Sequence, residues 1–221
     1  IPVYTDIKEP GIYEAHGGVY PRLCFFSIGK RCQMELPIQT QRLYLRPYQP
    51  GDGAWYAAMS QGNKAHLAQY ESGNAVMSIN SEEDAEQVVR DFAACWAARK
   101  AFFLGAFCQG TDEFVAQIYI GVVNWDLPEF ELGYFSEAGH KGQGYVTEAA
   151  RAALRFAFRQ LGASRVRLEC DDTNARSIRV AERCGMVKEG HIRENKLNLD
   201  GSVSGTVYYG LLKREFEALD G

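Results

Sequence analysis

His140-Lys141-Gly142-Gln143-Gly144-Tyr145-Val146-Thr147-Glu148-Ala149 is the stretch from which the rest of this chain is best read. It lies between a strand pattern at 130–135 and a long helix pattern at 144–161. Glycines one residue apart let backbone N–H groups turn inward, and the start of a helix adds the positive end of its dipole. Together they make a site for a phosphate or pyrophosphate. Lys141 would add a charge and the Thr147 hydroxyl a further donor. The same two glycines would also serve a tight strand-to-helix turn that binds nothing. Three familiar phosphate loops do not fit. A dinucleotide fingerprint needs a third glycine where Thr147 stands. A P-loop needs Gly-Lys-Ser/Thr after its spacer, and the partner motifs of a kinase loop are missing.

Downstream of the loop, Val146, Ala150, Ala153, Ala157 and Leu161 share one helix face, Arg151, Arg155 and Arg159 another, and Gly162 is a stop signal. A strand at 166–170 follows, then a helix at 174–184 closed by Gly185, a strand at 186–191, the Asp200-Gly201 turn and a strand at 207–212. Upstream, 42–46 alternates as a strand ended by Pro47, and Asp52 is placed to cap a helix running to about Ser60. Ser81-Glu82-Glu83-Asp84 reads as a capping box, with Ala85, Val88, Val89, Phe92 and Trp96 at helical spacing behind it. Residues 101–108 and 115–123 form a hairpin around a polar turn. A meander followed by strand-helix-strand crossovers predicts an α/β (α+β) fold, a mixed sheet of about seven strands flanked by helices.

Residues 1–33 carry scattered Pro and Gly and no sustained period, and Met34 opens a segment that reads like a normal start. The expected organisation is an appendage or upstream extension at 1–33 and one domain at 34–221. With 221 residues and 46% hydrophobic content, a disordered chain is excluded. A net charge of −4 removes the basic footprint of a nucleic-acid binder. The longest apolar run near the start, Leu23-Cys24-Phe25-Phe26, spans no bilayer and forms no signal-peptide core, so a soluble, cytoplasmic protein is expected. None of the six cysteines forms a Cys-x-x-Cys pair, which favours reduced core thiols. His16, His66, His140 and His191 lack the spacing of a metal site, and no metal is expected.

Read together, five motifs resemble the GNAT superfamily of acetyl-CoA-dependent N-acetyltransferases. They are Glu131-Leu132-Gly133-Tyr134-Phe135, the loop at 140–145, Thr147-Glu148-Ala149, Asn174-x-x-Ser177 and Ala181-Glu182-Arg183-Cys184-Gly185-Met186. The run Glu189-Gly190-His191-Ile192-Arg193 and the Asp200-Gly201 turn resemble the branch of ribosomal-protein alanine N-acetyltransferases.

The resemblance implies a mostly antiparallel sheet with a V-shaped opening between the fourth and fifth strands, at 130–135 and 166–170. Acetyl-CoA would enter there as co-substrate. Main-chain groups of Gly133, Tyr134 and Phe135 would pair with the pantetheine arm. The pyrophosphate would rest on His140, Lys141, Gly142, Gln143, Gly144 and Tyr145, with Thr147 and Asn174 also at the cofactor. Ser177 would donate a hydrogen bond to the leaving thiolate. Asn174 and Ser177 have a simpler reading too, as cap and first turn of a helix.

For the general base the family position falls on Lys196, a departure from the glutamate found in relatives. Glu131 ranks first as the substitute and Glu194, on the strand face of 196, second, with a water chain as a third route. Two more departures are Gly139, where a Gln or Arg usually starts the loop, and Gly205, where relatives carry Asp. Arg165, Arg167, Arg176, Arg179 and Arg183 form a basic group, either a solvated face or help for the 3′-phosphate end of CoA.

The expected acceptor is a primary amine attacked directly in a ternary complex. A peptide N-terminus is favoured over a polyamine, amino acid or aminoglycoside, and a non-catalytic acyl-CoA-binding module is the alternative of another class. The resemblance is compatible with a homodimer; no residue speaks to it.

Overall fold

The computed structural model describes residues 34–220; the appendage expected at 1–33 lies outside the described residues. The chain forms β1 (Ile38–Gln39), β2 (Leu43–Pro47), α1 (Gly53–Leu67), α2 (Glu82–Ala97), β3 (Ala101–Cys108), β4 (Phe114–Asn124) and β5 (Glu129–Ser136). Then follow α3 (Tyr145–Arg159), β6 (Arg165–Asp171), α4 (Ala175–Arg183), β7 (Val187–Leu197), β8 (Val203–Leu212) and α5 (Lys213–Asp220), with single 3₁₀ turns at Ala75–Ser78 and Ala138–His140. One sheet runs in the order β1-β2-β3-β4-β5-β6-β8-β7. Its pairs are antiparallel except β5 with β6, which are parallel and joined through α3. Eight strands rather than about seven result, because Ile38 and Gln39 add a two-residue edge.

Helix α3 lies against one face of the sheet. Its buried Ala149, Ala153, Phe156 and Ala157 meet Ile118, Phe130, Val166 and Leu168 in the larger core. Small alanines let this helix sit close over the β5–β6 junction. Helices α1 and α2 cover the other face, where Tyr48, Tyr56, Val89, Phe92 and Phe135 are buried. Inside that core the side-chain carbonyl of Gln117 accepts from the hydroxyls of Tyr48 (2.8 Å) and Tyr56 (2.9 Å), so neither phenol is left unsatisfied.

Local signals account for most boundaries. The capping box at α2 is formed, with Ser81 accepting from the Asp84 N–H and Asp84 from the Ser81 N–H. Asn174 caps α4, and Gly162 and Gly185 follow α3 and α4 with φ of 75° and 79°. Asp52 departs from its expected role: it stands at the N-cap of α1 but caps nothing there. Its carboxylate is held by Arg46 at 2.7 Å and by Trp55, while Glu86 of α2 satisfies the N–H groups of Gly51 and Gly53. A stronger, charged partner outcompeted the local cap. Helix α1 also runs past Ser60 to Leu67, since buried Tyr56, Asn63 and Leu67 outweigh the poor propensity of Gly62 and Asn63.

Candidate active site

Strands β5 and β6 pair over only three residues, Glu129 with Arg165, Phe130 with Val166 and Glu131 with Arg167, and then part. Beyond Glu131 the β6-facing edge of β5 has no strand partner, although its other edge stays paired to β4 through Ser136. Unpaired main-chain donors and acceptors on such an edge suit an extended, amide-bearing ligand laid alongside as an extra strand.

The parting opens a cleft of about 430 Å³. Tyr134, Phe135 and Ser136 of β5 line one wall, and Asn174, Ser177 and Val180 of the α4 region face them. The glycine loop forms the end, through His140, Lys141, Gly142, Gly144, Tyr145 and Thr147. The segment that continues α1, from His66 to Glu71, closes the mouth. The cleft lining carries Lys141, Arg176, Arg179 and Arg183 against a single carboxylate, Glu71. Among the described residues none of those four cations is engaged in an ion pair. A polyanion entering here would meet available positive charge rather than spent charge.

Backbone geometry at the loop agrees with this electrostatic picture. Gly142 and Gly144 adopt φ of 78° and 82°, a region costly for other residues, and their N–H groups donate to no other part of the described chain. Gly144 is also the N-cap residue of α3, so the orphan donors of the first helical turn point the same way. The loop is tied to β2 by Arg42. Its guanidinium donates to the Gln143 carbonyl at 3.1 Å and to Glu148 at 2.7 Å, and lies 4.5 Å from the Tyr145 ring centre. Against its burial, bonds from Thr40 and from Arg42 hold the Glu148 carboxyl below the usual carboxylate range. Nothing local in the sequence marks Arg42, which stands far upstream of the loop.

On the side wall, the Tyr134 hydroxyl lies 3.1 Å from both the Ser177 carbonyl and Ser177 Oγ. Only one arrangement uses both contacts: the phenol donates to the carbonyl and the serine hydroxyl donates to the phenol oxygen. Burial pushes the Tyr134 pKa well up, only partly offset by the bond with Ser177, so the phenol stays protonated at working pH. Asn174 Oδ1 accepts from the Ser177 N–H at 3.1 Å, which fixes the first turn of α4 against the wall. At the mouth, His66 approaches the Ser136 carbonyl at 3.2 Å, and burial together with the Lys141 charge lowers its pKa.

The expected site residues divide plainly. Tyr134, Phe135, His140, Lys141, Gly142, Gly144, Tyr145, Thr147, Asn174 and Ser177 are brought together in the cleft. Gln143 turns its carbonyl to Arg42, and Gly133 packs toward the Tyr119 ring, which a Cβ there would meet at 3.2 Å. Glu131 is not brought to Ser177: it sits where β5 and β6 still pair and is held by Arg167 at 2.8 Å. Glu194 is exposed in a bulge of β7 with φ of 51°, so the strand-face argument linking it to Lys196 fails there. Lys196 itself reaches Asp171, a buried carboxylate that also accepts from Ser204 (2.6 Å) and Thr173 (2.6 Å).

The basic group also divides. Arg165 and Arg167 are engaged by Glu129, Glu189 and Glu131, whereas Arg176, Arg179 and Arg183 belong to the cleft. Gly205 is explained by a close approach, because a Cβ there would meet Asp172 and the Ile192 carbonyl. His66, Tyr70 and Glu71 also line the cleft, and no local motif in the sequence singles out any of the three for it. No helix among the described residues is long and apolar enough to cross a membrane.

Residues 42–187 match the family model described as Acetyltransferase (GNAT) domain. The chain is 38% identical over 87 residues to the Bacillus subtilis (strain 168) protein named "Putative ribosomal N-acetyltransferase YdaF". That match spans 39% of this chain and 47% of YdaF, about half the relative's length. Among solved structures, RimL, a ribosomal L7/L12 alpha-N-protein acetyltransferase in complex with coenzyme A, superposes with a TM-score of 0.71 at 20% identity, covering 80% of this chain and 96% of its own. The microcin C7 self-immunity acetyltransferase MccE, in complex with acetyl-CoA and AMP, does so with a TM-score of 0.69 at 17% identity, over 80% and 99%.

Proposed function

The chain belongs to the GNAT family of N-acetyltransferases, and from that premise we propose that it moves the acetyl group of acetyl-CoA onto a primary amine, the α-amine of a protein or peptide N-terminus being the preferred acceptor. The observation that carries the proposal is the parting of β5 and β6 over a cleft whose end is a donor-rich glycine loop and whose lining is cationic. Those features fit coenzyme A part by part. The loop N–H groups and the α3 dipole suit its pyrophosphate. Arg176, Arg179 and Arg183 suit its remaining phosphate. The open β5 edge suits the amides of its pantetheine arm.

In this reading the thioester lies beside Tyr134 and Ser177. The amine attacks the carbonyl carbon directly, and backbone N–H groups of β5 stabilise the oxyanion that forms. As the C–S bond breaks, the Ser177 hydroxyl turns from the Tyr134 phenol to donate to the sulfur, while the phenol stays protonated and bonded to the Ser177 carbonyl. A serine hydroxyl is a weak acid, so Ser177 passes on to the sulfur a proton given up by the amine nitrogen rather than ending as an alkoxide. The preference for a peptide acceptor is supported by what YdaF and RimL are named for, and by no residue of this chain alone.

The test is incubation of the full chain with acetyl-CoA and a mixed panel, read by mass spectrometry. The panel holds peptides starting with Ala, Ser or Thr, together with polyamines, free amino acids and aminoglycosides. Acetylated peptides are expected. Acetylation confined to the small amines would replace the acceptor assignment, and no acetylated amine of either kind would overturn the transfer reading.

A further inference from the structure

Every carboxylate near the reacting end of the cleft except one is already committed. Glu131 is bound twice by Arg167. Glu137 accepts from the Gly139 N–H at 2.7 Å and contacts His140. Glu148 is held by Thr40 and Arg42, Asp171 by Ser204, Thr173 and Lys196, and Asp172 by Gly205 and His191. For Glu148, Asp171 and Asp172 the partners favour the charged form and make the carboxylate a poor base. Glu71 differs. It lines the cleft, and among the described residues it has no ion pair and only one side-chain bond, a long one from the Asn74 amide at 3.4 Å.

The turn that carries Glu71 is nevertheless fixed. Its N–H donates to the Leu67 carbonyl at 2.7 Å and its carbonyl accepts from the Asn74 N–H at 2.9 Å. Next to it, the Tyr70 hydroxyl reaches the Thr173 carbonyl at 3.4 Å, across the mouth at the loop leading into Asn174 and Ser177. A carboxylate on a hydrogen-bonded turn, without an ion pair among the described residues and in a cleft that otherwise holds cations and hydroxyls, is placed to take a proton. We infer that Glu71 is the general base of the transfer, supplied from the end of α1 opposite Lys196; the inference rests on the acetyltransferase reading above.

In the step, a carboxylate oxygen of Glu71 takes one proton from the acceptor ammonium and releases it to solvent. The freed lone pair forms the C–N bond at the thioester carbonyl. The adduct collapses with cleavage of the C–S bond, and the second proton lost by nitrogen accounts for the one gained by the CoA sulfur through Ser177. Burial pushes the Glu71 pKa above the usual carboxylate range. Facing groups are the Tyr134 phenol from β5, Lys196 from β7, and Arg176 and Arg179 of α4; the Asn74 bond and, after it, the Lys196 charge act against the rise. An α-ammonium, with a pKa of about 8, lies closer to such a base than a lysine ammonium at about 10.4, so the assignment also favours N-terminal amines over side-chain ones.

The experiment uses the full chain, an Ala-starting peptide and the variants Glu71→Gln and Glu71→Asp. Glu71→Gln is expected to lower kcat on the order of 100-fold and to remove the acid limb of the pH profile of kcat/KM, with CoA affinity within about twofold of wild type. Glu71→Asp is expected to restore part of kcat and to move that limb. A glutamine variant that changes only KM, with the pH profile kept, would overturn the assignment and leave Glu71 a binding group. A carboxyl-carbon NMR titration of Glu71 in the CoA complex separates this inference from the reading beneath it. A midpoint clearly above about 4.3 supports the base even if wild type leaves the peptide unmodified, in which case only the acceptor assignment falls. A midpoint at or below that value overturns the base whatever wild type acetylates.

Discussion

The two sides of the cleft are assembled in different ways. The glycine-loop side, from His140 through α3 and β6 to Val180, is one continuous passage of chain in which each device is local: two left-handed glycines, a helix start, an Asn cap. The opposite side, at the mouth, gathers the end of α1, the end of β6 and the β7–β8 hairpin. It is held by long-range bonds such as Tyr70 to Thr173 and Ser204 to Asp171. A phosphate needs donors and charge, which a short passage can supply alone. An acceptor amine needs a base and a shaped mouth, which only tertiary structure brings together.

That contrast predicts that lesions on the loop side strike CoA affinity while lesions at the mouth strike turnover. The largest effect is expected at Gly144. A β-branched residue there must adopt φ near 82°, costing about 1–3 kcal/mol, and it disturbs the donors at the start of α3. Gly144→Val should weaken CoA binding on the order of 100-fold by calorimetry while the far-ultraviolet circular dichroism stays native. Near-normal CoA affinity would break the comparison at its strongest point.

Ser177 lies where the two sides meet, and removing it should separate chemistry from binding. Ser177→Ala deletes the hydroxyl beside Tyr134 but keeps the N–H that Asn174 accepts from, so α4 should remain capped. A fall in kcat of about 10- to 100-fold is expected, with CoA affinity nearly unchanged. An unchanged kcat would remove Ser177 from the chemistry.

The sequence was informative about the first side for the reason that makes it robust. Gly142-x-Gly144 and Asn174-x-x-Ser177 are contiguous patterns with local causes, and the elements around them fall close to their expected bounds. Their weakness is that a turn and an anion site look alike until the neighbouring strands are seen to part. The mouth was much harder to read. Helix α1 was expected to end near Ser60, since Gly62 and Asn63 hide its last turns, so the Glu71 segment could be assigned to no element. Glu131 looked like a candidate base because nothing in a linear pattern reveals that Arg167 is opposite it. Glu194 looked aligned with Lys196 because period-two reasoning assumes an unbroken strand, and β7 is bulged between Ile192 and Lys196.

Asp171 tests whether the mouth is held together as the bonds indicate. Its carboxylate ties the end of β6 to Ser204 of β8, Lys196 of β7 and the Thr173 loop. Replacing it with Asn keeps the shape but halves the acceptor capacity, and losing charged hydrogen bonds of this kind costs about 1.5–3 kcal/mol. Against its burial, bonds from Ser204, Thr173 and Lys196 hold the Asp171 pKa below the ordinary 3.8. For a carboxyl lowered on folding, the stabilisation is complete above the unfolded pKa and is lost as pH falls through the folded one. Urea denaturation of Asp171→Asn should therefore show its full deficit at pH 7 and a deficit that shrinks only below about pH 4. A constant deficit from pH 7 to 3 would mean that the network stabilises through shape rather than charge.

The smallest effect is expected from single cleft arginines, and it sharpens the comparison by its salt dependence. Arg179 lines the cleft without an ion pair among the described residues, so its charge is available to a ligand phosphate but is also partly screened by solvent. Arg179→Ala should weaken CoA binding only about 3- to 10-fold at low ionic strength, and the difference from wild type should narrow as salt rises toward 0.5 M. The Gly144→Val defect should hardly respond to salt, because it arises from backbone geometry rather than from a screened charge. Equal salt dependence in the two variants would mean that the loop acts chiefly as a source of positive potential, and its left-handed glycines would then matter less than the charges around them.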